Sequence, residues 1–97
     1  MIEPLTTPAL INGGTTPITL AKNPKFVNTL VSFKGRSTGI ISFRTKAIYS
    51  EFQTPGAPYT IDLATNKSIS FLGEALEAIE LTDAGSGSVT VNVTQYS

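Results

Sequence analysis

Carboxylates are the main groups in this sequence that can perform acid–base chemistry, because the chain contains no histidine and no cysteine. Those two residue types supply the usual general bases, the thiol nucleophile and most transition-metal ligands of proteins. Most types of catalytic centre therefore cannot be built from this chain. The seven carboxylates are Glu3, Glu51, Asp62, Glu74, Glu77, Glu80 and Asp83, and the last four lie close together in sequence.

A pair of these carboxylates would suit glycoside hydrolysis if the two faced each other across a cleft and one had a raised pKa. The chain has no tryptophan to stack on a sugar, and acids near Gly73 and Gly85 are typical of solvated turns. The oxygen-rich segment 83–87 is a candidate for calcium, but its spacing matches no EF-hand. We therefore predict no catalytic residue, no metal site and no cofactor.

Composition bounds the class of protein. With 97 residues, 40% of them hydrophobic and 14% charged, the chain is apolar enough to fold as one compact domain. The formal net charge of zero removes the general attraction to phosphate on which nucleic-acid binding depends. No stretch approaches the roughly 18 apolar residues of a membrane span, and the start of the chain lacks the features of an export signal. We expect neither nucleic acid nor a membrane as a partner.

The charges are segregated along the chain, with most cations in the first half and every acid except Glu3 from Glu51 onward. In one interpretation, basic and acidic strands are neighbours and pair across a sheet. In the other, the basic part of one subunit meets the acidic part of the next, and a closed ring results. The candidate subunit contacts are then Lys34, Arg36, Arg44 and Lys46 on the basic side and Glu74, Glu77 and Glu80 on the acidic side.

Residues 1–17 contain three prolines and the Gly13–Gly14 pair, a composition that favours extended or turning backbone. We expect an extended N-terminal arm there and a single β-sandwich domain over residues 18–97. The arm is either a poorly ordered terminus or a segment laid on a neighbouring subunit. Its candidate anchors in the second case are Leu5, Leu10 and Ile11.

From Ile18 onward, apolar and polar residues alternate with a period of two, which predicts β-strands. The final strand is the clearest, since Val89, Val91 and Val93 alternate with polar residues. Polar turns at residues 34–39, 64–67 and 83–87 predict three β-hairpins between consecutive strands. Among the aromatic residues, Phe26, Phe33, Phe43 and Phe71 are expected in the core, and Tyr49, Phe52, Tyr59 and Tyr96 are candidates for a contact surface.

Residues 73–81 fit two patterns. As a strand, the segment places Glu77, Ile79 and Leu81 on one face. As a short helix, it places Leu76 and Ile79 on one stripe with Leu72. We expect the strand, because a glycine-rich turn joins the segment directly to the final strand and every other element is β. The predicted fold is an all-β, antiparallel two-sheet β-sandwich, jelly-roll-like, with about seven to eight short strands and an extended N-terminal arm.

The closing stretch, Ile69–Gly73 through Glu77–Thr82 to Val89–Gln95, together with the Thr/Gly-rich composition and the Pro/Thr-rich start, resembles the small β-sandwich virion proteins of tailed bacteriophages. These include head-decoration, head-fibre and tail accessory proteins. The resemblance implies a non-enzymatic structural protein of a phage particle, located in the virion after assembly in the host cytoplasm. It also implies no cofactor and contacts with other virion proteins and with itself, either as a symmetric homo-oligomer or bound at symmetry-related positions.

The alternative is a carbohydrate-binding or adhesin-like module with a similar composition and strand pattern. Such a module holds a glycan through exposed aromatic side chains and Asn/Asp loops. The lack of tryptophan argues against this alternative, while the N-terminal arm and the segregated charges favour the virion protein.

Overall fold

The computed structural model describes residues 3–11, 17–35, 37–48, 59–83 and 88–97. Over these residues the chain forms β-strands and no helix, so no helix in this part of the chain could cross a membrane. The strands are β1 (Leu5–Ile11), β2 (Pro17–Thr19), β3 (Asn28–Lys34), β4 (Ile40–Ala47), β5 (Tyr59–Asp62), β6 (Ser68–Leu72), β7 (Leu76–Asp83) and β8 (Val89–Tyr96). The predicted all-β class is confirmed, and the ambiguous segment 73–81 contributes to a strand.

The strands form two antiparallel sheets of four. Sheet A has the order β1-β8-β3-β6, and sheet B has the order β2-β7-β4-β5. The first strand pairs with the eighth, the second with the seventh, the third with the sixth and the fourth with the fifth. This nested pairing is that of a long antiparallel ribbon wound into two sheets, which is the jelly-roll topology. The predicted jelly-roll-like sandwich is confirmed.

The three predicted hairpins are wrong. Residues 34–39 connect β3 in sheet A to β4 in sheet B, and residues 64–67 connect β5 in sheet B to β6 in sheet A. The third predicted hairpin would join β7 to β8, but β7 belongs to sheet B and β8 to sheet A; residues 84–87 between them lie outside the described residues. Alternation predicts which side of a strand is buried but does not identify its hydrogen-bonded neighbour. The strands on the two sides of each segment therefore belong to different sheets and cannot form a hairpin with each other.

Residues Leu5–Ile11 are extended, as predicted, but they form β1 inside sheet A. They pair with β8 along the whole strand, from Leu5 opposite Gln95 to Ile11 opposite Val89. This position differs from the predicted arm separate from the sandwich. The strand tolerates Pro8 because β1 is an edge strand, where a missing N–H need not break the sheet.

The core lies between the two sheets. Its members are Ile18, Leu20, Val31, Phe33, Ile41, Phe43, Ile61, Leu63, Leu76, Ile79, Leu81, Val89, Val91 and Val93. The ring of Phe43 in sheet B lies 6.1 Å from that of Phe33 and 6.0 Å from that of Phe71, both in sheet A. Tyr59 also packs here, with its ring 4.8 Å from Phe71, so it supports the core. Phe26 is buried as predicted.

An irregularity in β7 changes which side chains face the core. Ala47 lies opposite Leu76 and Lys46 lies opposite Ala78, so Glu77 is an extra residue in the register. Such a β-bulge shifts the alternation by one position. Leu76 is consequently buried, and Glu77 turns outward. The prediction that Glu77 lies on the same face as Ile79 and Leu81 is wrong. Ile79 and Leu81 face the core, whereas Glu77 faces outward, since burying its charge would cost free energy.

Candidate functional site

The outer face of sheet B carries charges that neutralise one another. Arg44 and Glu80 are opposite residues of β4 and β7. The Nε and Nη2 atoms of Arg44 each lie 2.8 Å from Oε1 of Glu80. Each of the two side chains is 21% exposed, which limits screening by water. This pair joins the basic and acidic parts of the sequence within one molecule.

Glu77 accepts two further cations on the same face. Its carboxylate contacts the ammonium group of Lys46, and its Oε2 lies 3.5 Å from Nζ of Lys22. The bulge in β7 makes this possible because it places the Glu77 carboxylate outside the core. The first interpretation of the charge segregation, pairing across the sheet, therefore describes Arg44, Lys46, Glu77 and Glu80.

The other candidate subunit contacts lie apart from this charged cluster. Lys34 is exposed at the end of β3, and Glu74 is exposed in the connection between β6 and β7. Leu5 is 43% exposed on β1. Leu10 and Ile11 belong to β1, although their side chains, like all of Arg36, Tyr49 and Phe52, fall outside what the structure describes. A role of any of these residues in subunit contacts stays a prediction.

Among the described outward side chains of sheet A, the one charge is Lys34, which lies opposite Thr90 at one end of the sheet. The other outward side chains are Thr6, Pro8, Asn28, Leu30, Ser32, Ser68, Ser70, Leu72, Thr90, Asn92, Thr94 and Tyr96. We call this set the uncharged face; Lys34 lies at its boundary. Thr6 and Thr94 hydrogen-bond through their hydroxyl oxygens at 3.0 Å. Exposed surfaces of soluble domains are usually about 25–35% charged, and interface centres are depleted of charge.

Gln95 is a structural residue that the sequence analysis did not single out. Its side chain is completely buried. The amide oxygen accepts from the Ala21 N–H at 3.0 Å, and Nε2 donates to the carbonyls of Ala21 at 3.0 Å and Leu76 at 3.3 Å. It thereby ties sheet A to sheet B and to the connection after β2. Extending the alternation of the three valines by one step would have placed Gln95 inward.

The carboxylates clustered in sequence were the candidates for acid–base or metal chemistry. Across the described ranges, no three Asp or Glu side chains are grouped as ligands of a metal ion. Asp62 instead stabilises the turn that follows β5, since its Oδ1 accepts from the Ala64 N–H at 3.0 Å. The described geometry therefore offers surfaces for contact, among them the uncharged face.

The nested pairing of the eight strands in two sheets defines a small jelly roll, or double-stranded β-helix. No protein family and no curated protein matches the sequence. Among solved structures, AlgX of Pseudomonas aeruginosa has a TM-score of 0.59 at 8% identity over 95% of this chain. The chain spans 26% of the length of AlgX, so the likeness is to one part of that protein.

Two further structures match over nearly their whole length. A de novo designed double-stranded β-helix has a TM-score of 0.56 at 13% identity, covering 95% of this chain and 99% of the design. The SPBc2 prophage-derived protein YomS has a TM-score of 0.56 at 18% identity, covering 100% of this chain and 97% of YomS. At these identities the likenesses establish the fold alone.

Proposed function

We propose that this chain is a non-enzymatic structural protein of a bacteriophage particle, acting by subunit packing in capsid decoration or as a head or tail accessory component. The observation that carries the proposal is the uncharged face, which extends over all four strands of sheet A, with Lys34 at its boundary. The opposite side has charges of both signs that are paired within the molecule.

The contrast between the two faces favours packing against protein. A domain that functions alone in water benefits from charges on all sides, because they oppose association. An interface has the opposite requirement, since each buried charge must be desolvated. Hydroxyl and amide side chains with interspersed Leu30, Leu72 and Tyr96 can be buried at a lower desolvation cost.

The fold comparison supports the phage context. The similarity to the SPBc2 prophage-derived protein extends over 100% of this chain and 97% of that protein. It therefore concerns the whole jelly roll of both proteins. The partners of the proposed structural protein are further copies of itself and other virion proteins.

A carbohydrate-binding module is the second candidate function. The same face displays Asn92, Thr90 and Thr94 next to the half-buried ring of Tyr96. Hydroxyl and amide groups beside an aromatic ring are the elements with which proteins hold sugars. This reading uses the uncharged face as a ligand surface.

The first experiment is light scattering of the purified protein over a range of concentrations, followed by a glycan array. A defined multimer without glycan binding is the expected result. A monomer at every concentration that binds glycan would contradict the proposal and favour the second function. The matched variants Asn92→Lys, on the uncharged face, and Thr19→Lys, on sheet B, would then locate the glycan, because only the former should abolish binding.

A further inference from the structure

The four edge strands of the sandwich differ in how they are protected against pairing with another chain. They are β1 and β6 in sheet A and β2 and β5 in sheet B. An edge strand exposes a row of backbone donors and acceptors that can be extended by another strand. In the part of the chain that the structure describes, β6 pairs with β3 alone.

One hydrogen bond determines which backbone groups of β6 point away from β3. The N–H of Phe33 donates to the carbonyl of Lys67 at 2.8 Å, so these opposite residues form a hydrogen-bonded pair. Hydrogen-bonded and non-hydrogen-bonded pairs alternate along antiparallel strands, so Ile69 and Phe71 also bond to β3. The residues whose N–H and C=O point away from β3 are then Ser68, Ser70 and Leu72. We call this side the outer edge of β6.

The other edges carry devices that oppose pairing. By the same alternation, the ring nitrogens of Pro8 in β1 and Pro17 in β2 point away from the neighbouring strand, where they offer no donor. In β5, the Asp62 carbonyl already accepts from the N–H groups of Thr65 and Asn66 at 3.0 and 2.8 Å. Each of these edges therefore lacks a donor or acceptor that a new strand would need.

Among the described residues, none gives the outer edge of β6 such protection. The strand reads Ser-Ile-Ser-Phe-Leu and contains neither proline nor charge. The three residues of its outer edge are all exposed, and Leu72 is 71% exposed. An uncharged edge of this kind is a site of strand addition unless a partner covers it.

We propose that β6 pairs in antiparallel fashion with β6 of a second copy, about a twofold axis at Ser70; this inference rests on the proposed assembly function. Ser70 then lies opposite the partner subunit's Ser70, and Ser68 lies opposite the partner subunit's Leu72. Each opposed pair exchanges two backbone hydrogen bonds. The register uses every donor and acceptor of the outer edge of β6.

The side chains of β6 fit the same register. Ile69 falls opposite the partner subunit's Phe71 in a non-hydrogen-bonded pair, where side chains approach most closely. Both residues are only partly buried within one molecule, although they pack against its core. Pairing gives Ile69 and Phe71 each an apolar neighbour across the contact, and β6 itself brings no charged side chain into it.

A second copy is the occupant because the edge is self-complementary. About the axis at Ser70, Ile69 and Phe71 of one copy each face an apolar residue of the other, and no charged residue of β6 meets another. Two sheets A then join into one eight-stranded sheet, and their uncharged faces become a single surface of twice the width. This dimer would present the surface that packs in the particle.

The test compares two lysine substitutions whose side chains both project from the uncharged face. Ser70→Lys places two ammonium groups opposite each other across the axis, whereas Asn92→Lys lies on the interior strand β8, away from the outer edge of β6. In light scattering we expect a dimer for the wild type and for Asn92→Lys. For Ser70→Lys we expect a monomer or a dissociation constant raised about tenfold or more. An equal mixture of Ser70→Lys and Ser70→Glu should restore the dimer.

A second measurement needs no variant. The amide of Ser70 should exchange its hydrogen more slowly in the concentrated wild-type protein than in dilute solution. The amide of Thr6, which points away from β8 beside Pro8, should not change, and it serves as the internal control.

The outcomes separate the two proposals. A multimer that persists in Ser70→Lys, with Ser70 exchanging equally at all concentrations, would overturn edge pairing and leave the assembly function standing. Dissociation by Asn92→Lys instead would place the contact on the uncharged face and would also overturn edge pairing. A wild-type monomer that binds glycan would overturn both.

Discussion

At the residue scale, two buried polar side chains of neighbouring strands differ in whether they are hydrogen-bonded. Gln95 and Thr29 are opposite each other on β8 and β3, and both are fully buried. The Gln95 amide bonds to the main chain at Ala21 and Leu76. Thr29 Oγ1 has no hydrogen-bond partner among the described residues. The Gln95 side chain therefore links β8 to β7 and to the segment after β2, while the Thr29 hydroxyl is buried without a hydrogen bond in the described part of the chain.

Replacing Gln95 with leucine should lower the free energy of unfolding by about 2–3 kcal/mol, because it removes the partner of the Ala21 N–H and the hydrogen bonds to the Ala21 and Leu76 carbonyls in the interior. Urea denaturation followed by circular dichroism measures the change. Asn92→Ala on the outer side of the same strand is the control, with an expected change within about 0.5 kcal/mol. Equal effects of the two substitutions would contradict the assigned role.

Thr29→Val should raise the free energy of unfolding by about 1 kcal/mol, because it removes an unpaired hydroxyl and keeps the shape of the side chain. Thr29→Ser is the opposite control: it keeps the hydroxyl and loses a methyl group, so stability should fall by about 1 kcal/mol. Thermal melting of both variants measures this. A valine variant less stable than the wild type would show that the hydroxyl is hydrogen-bonded.

At the element scale, β1 is part of the sandwich and covers the edge of β8. The seven residues of β1 pair with β8, and Ala9 packs against the core. Without β1, strand β8, which carries the buried Val89, Val91 and Val93, would become an edge of the sheet. The N-terminal segment therefore contributes to folding, which a proline-rich composition did not indicate.

Deletion of residues 1–12 should accordingly lower the free energy of unfolding by at least about 3 kcal/mol, given a net contribution of about 1 kcal/mol for each hydrogen bond lost. Deletion of residues 1–4, which precede β1, should have little effect. Denaturant titration of the two truncated chains provides the comparison. If the longer deletion left stability unchanged, residues 5–11 would not form part of the folded sheet.

At the scale of the whole molecule, the two outer sides of the sandwich have different electrostatics. Arg44, Lys46, Glu77 and Glu80 neutralise one another on sheet B, and sheet A presents the uncharged face. Contacts between subunits through hydrogen-bonded edges or uncharged side chains are not weakened by salt in the way that ion pairs are. Four of the segregated charges, Arg44, Lys46, Glu77 and Glu80, are thus paired inside the subunit.

The mass of the multimer in solution should therefore be the same at low and at high salt. Light scattering at the two ionic strengths measures this directly. Dissociation at high salt would instead indicate that exposed charges such as Lys34 and Glu74 join the subunits head to tail, as the second interpretation of the charge pattern holds.

From β2 onward, the sequence by itself determined most of the strands and their buried sides, with Glu77 as an exception, and it excluded histidine and thiol chemistry. A period of two specifies the inward valines of β8 and predicts the strand over residues 73–81, because local alternation needs no knowledge of neighbours. It also indicated the core phenylalanines Phe33 and Phe43, which are buried.

Only the tertiary structure decided which strands are neighbours, and the candidate site depends on this. The turns that suggest hairpins cross between sheets, so β7 lies beside β4 and its acids meet the cations of Arg44 and Lys46. The bulge at Glu77 and the outer edge of β6 also arise from pairing between strands distant in sequence. Alternation records which side of a strand is buried, while pairing depends on how the whole ribbon winds, and no local pattern contains that information.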